Sequence, residues 1–392
     1  MPGEPAPIPL FDVRLTDEQV EAVTETLRSG WLTMGPRTAE LEEAFAAHLG
    51  VRHAVATSSC TAALHLAMLA AGVGPGDEVI VPGITFVATA AAARYCGATP
   101  VFADIAGAHD LGIDPGHVEE LLGPRTRAVC VVHYAGYAAD VGALRTLCDR
   151  RGVALIEDCA HSPSATPAGG GRKLGGYGLA GALSFFSNKV ISCGEGGLLV
   201  TDDDAVAELA RSRRSHAMTS GTWDRHRGHA ASYDVTGLGF NYRLDEPRAA
   251  LLLARLPGLE ADIARRRELV HRYRAALEPV EGIGIPYESD EVDRSSCYVM
   301  PVTVDDPELR DPLRERLSAR HGVQTSVLYP AVHEFTDYAR FRREPLPRSE
   351  LVARSEVTLP LFPHLTEAEQ ERVAGGVEEC LSALRASASQ AR

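Results

Sequence analysis

One lysine in this 392-residue chain is placed where an amine could serve as a nucleophile. Lys189 lies in LSFFSNKVISCGEGGLLVTDD, after one apolar run and before another, with Gly194-Glu195-Gly196-Gly197 between them. A lysine taken alone is a solvated surface charge. Carried into an apolar setting, its ammonium form loses hydration, which lowers the pKa and leaves the amine nucleophilic. The glycines let the backbone turn sharply beside a bound group. Asp158 ends the run VALIED, just before Cys159-Ala160-His161. A carboxylate there could ligate a divalent cation, read a ribose, cap a helix, or keep a heteroaromatic ring nitrogen protonated. Ser59, Cys60 and Thr61 precede AALHLAMLAA, where hydroxyls and free amides at a helix start could either cap the helix or hold an anion. Ser184 could add a hydroxyl to that anion site, and Phe86, in VPGITFVAT, could be core or could stack on a flat ring.

These residues need a scaffold that gathers them. Short β-branched runs at 54–57, 78–82, 99–104, 128–132, 153–158, 183–186 and 198–201 alternate with helix-length stretches such as 59–71, 85–95, 115–122 and 143–151. Such alternation predicts βαβ units and a mostly parallel sheet covered on both faces, with ligands beyond the carboxyl ends of the strands. The pattern stops near residue 205. Helices at 205–215 and 246–277 follow, then the strand-like SCYVMPVTV, a helix at 307–320 and a last helix from Thr366. The reading is an α/β chain with a large domain, residues 1–256 with the N-terminal segment included, and a smaller C-terminal α/β domain, 257–392. Thr16 and Gln19 have capping-box spacing ahead of a first helix ending near Ser29.

The net charge of −14 argues against nucleic acid or an anionic membrane as partner. No apolar run reaches a membrane span, and the start has no secretory pattern. The eight scattered cysteines form no C-x-x-C pair, so neither a metal site nor a disulfide framework is expected. The expected setting is soluble and cytoplasmic.

Lys189, Asp158 and the hydroxyl-rich helix start are the fittings a pyridoxal-5′-phosphate (PLP) molecule needs at its ends. The segments SSCTAALHLA, GDEVIVPGITFVATA, IEDCAH, LSFFSNK, GEGGLLVTDD and GFNYRLDEPRAALLLARL resemble the DegT/DnrJ/StrS family of PLP-dependent sugar aminotransferases, from about Ser29 to the late LPLFPHLT. The resemblance implies the PLP-dependent transferase type I fold with a seven-stranded sheet, working as a homodimer with shared active sites. It implies Lys189 as the Schiff-base lysine, Asp158 against the pyridinium nitrogen, His161 near the ring's 3′-oxygen and Phe86 stacked on the ring. Ser59, Cys60, Thr61 and Ser184 would hold the phosphate, and Asn241 would reach it from the other subunit. Cys60 departs from the pattern, where Gly is common.

The implied reaction moves an amino group from an amino acid, glutamate or glutamine, to a keto-sugar, nucleotide-linked, in amino-sugar or antibiotic biosynthesis. The cofactor would alternate with its pyridoxamine form. Arg225 and Arg227, in the locally basic WDRHRGH, and Tyr329 and His333, in SVLYPAVH, are the candidates for the acceptor wall, against the alternative of a plain solvated loop for the arginines. A non-nucleotide ketone such as a keto-cyclitol stays open as acceptor. A sugar dehydratase of the same fold would replace Lys189, and a non-catalytic PLP-binding regulator would not need Lys189, Asp158 and Asn241 together. A nicotinamide enzyme would need G-x-G-x-x-G where the chain has TSSCTA.

Overall fold

A computed structural model describes residues 6–220, 223, 228 and 232–391. Seven strands form one sheet: β1 (His53–Thr57), β2 (Glu78–Pro82), β3 (Thr99–Ala103), β4 (Thr126–Val132), β5 (Ala154–Asp158), β6 (Ala180–Ser184) and β7 (Gly197–Thr201), in the order β1-β7-β6-β5-β4-β2-β3. β2 to β6 pair in parallel, and β7 runs antiparallel to both β6 and β1. Parallel neighbours need crossovers. Among those crossovers are α4 (Ala88–Tyr95), between β2 and β3, and α6 (Val141–Arg151), between β4 and β5, while α3 (Cys60–Ala70) follows β1 and α7 (Asp204–Arg213) follows β7.

The period-2 alternation of side chains divides the sheet residues between two apolar layers. Ala54, Ala56, Ile80, Val129, Leu155 and Leu198 pack into one buried cluster. Their neighbours Val55, Val79, Val81, Cys130, Ile156 and Leu199 pack into the other. The same alternation separates Glu157 from Asp158. The Glu157 carboxylate accepts hydrogen bonds from the amides of Gly175, Tyr177 and Gly178 at 2.7–2.8 Å, pinning a turn. Asp158 therefore faces the other way, into the cavity described below.

The sheet matches the strands expected from sequence, with β6 shifted. It begins at Ala180 rather than Leu183 because the small residues AGA are needed there: a Cβ on Gly181 would lie 2.5 Å from Gly175 Cα. The helix expected over 246–277 is two, α8 (Glu246–Arg255) and α9 (Leu259–Leu277), separated by a 3-10 turn at Leu256–Gly258. Pro257 has no amide to donate to the preceding turn. Beyond it, β8 (Ile283–Gly284), β9 (Met300–Val304) and β10 (Glu356–Leu359) form an antiparallel sheet in the order β10-β9-β8, flanked by α10 (Arg310–His321), α11 (Pro347–Ser355) and α12 (Glu367–Ala391).

The N-terminal segment, grouped with the large domain on sequence grounds, is hydrogen-bonded to this second layer. The Ile8 amide donates to the Gly322 carbonyl and the Gln324 amide to the Ile8 carbonyl, both at 2.9 Å, and Ile8 is fully buried. The first helix, Asp17–Arg28, starts with the Thr16–Gln19 capping box. Among the described residues no helix is long and apolar enough to cross a membrane.

Gly181→Ala must displace backbone to admit its Cβ, so it is expected to cost about 1–3 kcal/mol. Gly74→Ala, which meets nothing within 4 Å, serves as the control. Thermal melts of the two variants check this: equal melting temperatures would show that β6 tolerates the extra atom.

Candidate active site

The carboxyl ends of β5 and β6 open onto a cavity of about 380 Å³. It is lined by Ser59, Cys60, Thr61, Phe86, Asp158, His161, Ser184, Lys189 and Tyr329, so nine of the sequence candidates meet in one place. Lys189 follows β6 in a turn closed by its own amide donating to the Phe186 carbonyl, 2.9 Å. Its Nζ lies 4.3 Å from the centroid of the Tyr298 ring. Burial lowers its pKa from 10.5 to about 8, against the opposing pull of Asp158 and the smaller effect of Cys60. An amine so placed is partly neutral near pH 8 and can attack a carbonyl.

Asp158 is 5% exposed and both its oxygens are held. Oδ2 accepts from the Thr89 hydroxyl at 2.8 Å, and Oδ1 from the Ala160 amide at 3.1 Å. Thr85 Oγ1 in turn lies 3.0 Å from Thr89 Oγ1. Burial raises the carboxyl's pKa, while Thr89, Ala160 and Lys189 pull it back.

At the start of α3, Ser59 has extended backbone and its hydroxyl caps the helix by accepting from the Ala62 amide, 3.2 Å. Strand β7 packs directly on this helix start: a Cβ on Gly197 would come within 2.3 Å of Ser59 C and 2.4 Å of Cys60 N. The last glycine of GEGG is thus required by a close backbone approach. Cys60, where the resemblance favours Gly, turns its thiol toward Asp158, with Sγ 3.9 Å from Oδ1. Burial raises that thiol's pKa, so it stays protonated. His161 is 3% exposed, and its pKa is held well below the usual value by burial and then by Lys189. Phe86 is half exposed at the cavity wall, 5.8 Å from the Tyr329 ring.

His333 and Asn241 are not among the residues lining this cavity. His333 is fully buried outside the cavity lining, its Nε2 3.2 Å from Glu350 Oε1 and its ring 5.8 Å from Phe102. The Val332 amide donates to the Gly83 carbonyl, 2.8 Å, and Ala331 bridges Ile84, which turns the next side chain inward. His333 therefore does not reach the acceptor wall. Asn241 is exposed and is not among the residues lining its own chain's cavity, although the neighbouring Tyr242 carbonyl accepts from the Ser58 amide at 2.7 Å. Arg225 and Arg227 lie outside the described residues. Sequence reasoning missed Thr89, Tyr298, Leu10 and Phe11. Thr89 stands four residues after Thr85, one helical turn, which was a usable signal. The other three come from distant segments and carried none.

The donor set fits PLP: a buried carboxylate for the ring nitrogen, an amine for the aldehyde carbon, and hydroxyls and free amides at the start of α3 for the phosphate. Fold and cavity together define a PLP-dependent transferase of the type I fold. The sequence profile of the DegT/DnrJ/EryC1/StrS aminotransferase family matches residues 13–378, and the chain belongs to that family of PLP-dependent sugar aminotransferases. It is 35% identical over 369 residues to the spore coat polysaccharide biosynthesis protein SpsC of Bacillus subtilis (strain 168), covering 92% of this chain and 94% of that one. The crystal structure of the aminotransferase TlmJ from Streptoalloteichus hindustanus superposes with a TM-score of 0.88 at 37% identity, covering 97% of this chain and all of TlmJ. NtdA from Bacillus subtilis, solved with bound cofactor PMP, gives a TM-score of 0.86 at 29% identity over 97% of this chain and 86% of NtdA.

The lysine makes a pH prediction. Capture of added PLP by the cofactor-free protein should accelerate with rising pH and level off above about 8, where the Nζ amine becomes neutral. Asp158 favours the ammonium form, so Asp158→Asn should move that midpoint to lower pH. Stopped-flow absorbance across pH 6–11 measures it (a window set on the order of the lysine range); a wild-type midpoint at the ordinary lysine value contradicts the assignment.

Proposed function

We propose that this chain moves an amino group from glutamate or glutamine to a nucleotide-linked keto-sugar in amino-sugar biosynthesis. The observation that carries the reading is the pairing, in one cavity, of an amine lowered to about 8 with a buried carboxylate held on both oxygens. Bound PLP supplies an electron sink for a carbanion at the substrate carbon. Asp158 would keep a proton on the ring nitrogen, and the Thr89 hydroxyl and Ala160 amide fix that carboxylate in place. With PLP bound, Lys189 Nζ would be the group that carries a proton to and from the substrate carbon. The amides and hydroxyls at Ser59–Thr61, with Ser184, hold the phosphate, and Phe86 covers the ring face.

A second copy of the chain completes the site in this reading. Asn241 is exposed and serves the partner's phosphate end rather than its own. Val20 and Leu27, both on the first helix, are each about half exposed, apolar side chains that a partner would cover. SpsC, named for spore coat polysaccharide biosynthesis, supports a saccharide acceptor.

A half-reaction screen tests the proposal. The protein is first converted to its aminated form with glutamate or glutamine, then mixed with keto-sugars, nucleotide-linked and free, while the visible band of the lysine-bound cofactor is followed. Recovery of the band with a nucleotide-linked keto-sugar is expected. Recovery only with free cyclic ketones would overturn the nucleotide-linked acceptor.

A further inference from the structure

The hydrogen bonds around His161 fix which of its nitrogens carries the proton. The Ala135 amide donates to Nδ1 at 3.2 Å. An amide N–H can only donate, so Nδ1 is an acceptor and the proton sits on Nε2. That amide is aimed by a strained turn: Ala135 has φ 56° and Gly136 φ 97°, and a Cβ on Gly136 would lie 3.0 Å from the His161 carbonyl oxygen. Nε2 is 2.8 Å from the Tyr329 hydroxyl. Nε2–H must therefore donate and the Tyr329 oxygen accept, which leaves the hydroxyl's own hydrogen to be donated. No acceptor for it is recorded among the described residues, and Tyr329 lines the cavity. The rings hold this arrangement: His161 is stacked with Tyr329 at 5.7 Å and 10°, and with Tyr298 at 4.4 Å and 22°.

We propose that His161 acts on the cavity's occupant only through Tyr329, holding that hydroxyl as a hydrogen-bond donor to an oxygen of the occupant. His161 is then a positioning residue, and Tyr329 is the group that touches the ligand. The chemistry recognised is an oxygen acceptor with negative or partial negative charge. It belongs either to the cofactor ring or to the ketone acceptor. The inference rests on the aminotransferase reading above and goes beyond it by reassigning the histidine's work.

The test uses the PLP-loaded protein and the variants Tyr329→Phe, His161→Gln, His161→Leu and the double variant His161→Leu/Tyr329→Phe. Two readouts are followed: the pH titration of the visible cofactor band, and the separate rates of the donor and acceptor half-reactions. Tyr329→Phe removes one oxygen and keeps the packing. It is expected to change one readout by about tenfold, the scale of a lost hydrogen bond to a charged or strongly polar oxygen. A shifted band midpoint places that oxygen on the cofactor. A weakened acceptor half-reaction with an unchanged donor half-reaction places it on the ketone. His161→Leu should reproduce the Tyr329→Phe change, the double variant should be no worse than either, and His161→Gln, whose amide can still donate to Tyr329, should restore most of the effect. The proposal is overturned if the two single effects add in the double variant, or if Tyr329→Phe alters neither readout. A wild-type protein that forms no cofactor band would instead sink the aminotransferase reading itself.

Discussion

The structure turns on the burial of an amine and a carboxylate in one cavity without an ion pair between them. Among the described residues Lys189 Nζ makes no ion pair; it lies over the Tyr298 ring, while Asp158 is bonded to Thr89 and Ala160. Each charge lowers the cost of burying the other at a distance, yet neither is consumed by contact. That separation keeps the amine available as a nucleophile and the carboxylate available to a ring nitrogen. It depends on two neighbouring parallel strands, β5 and β6, ending side by side, with Asp158 aligned to Ala182 in the pairing register.

Close backbone approaches enforce the rest of the site. Gly197 allows β7 to pack onto the first residues of α3, and Gly181 allows β6 to pass Gly175. Both contacts are made at positions that carry no side chain. Cys60 fits the same logic. In place of a glycine it brings a protonated thiol toward Asp158 and leaves the helix-start amides unblocked, so the departure adds a weak donor to the carboxylate.

Most of the sheet was legible because its strands are short, apolar and separated by helix-length stretches, and because strand parity separates Glu157 from Asp158. β6 was misplaced by a few residues, since AGA carries no β-branched signal and its need for small residues arises from a turn six positions earlier. The sequence puts the domain boundary at 256/257, yet reads as one helix through Pro257 because apolar and basic residues continue on both sides of it. At the site, Lys189, Asp158 and the hydroxyls at the start of α3 were readable from type and position. His333 was not, because its direction is set by Ala331–Val332 pairing with Gly83–Ile84, a contact across some 250 residues. Tyr298, Leu10 and Phe11 likewise enter from the second layer and the N-terminal segment.

In the proposed site Lys189 is the residue that holds PLP. Borohydride reduction of the PLP-loaded protein, followed by proteolysis and peptide mass analysis, tests it most directly. One stable pyridoxyl-phosphate addition is expected, on the peptide containing Lys189, and none in Lys189→Ala. Addition to Lys173 or another amine in the wild-type protein, or an unlabelled Lys189 peptide from a protein that retains its visible band, would contradict it.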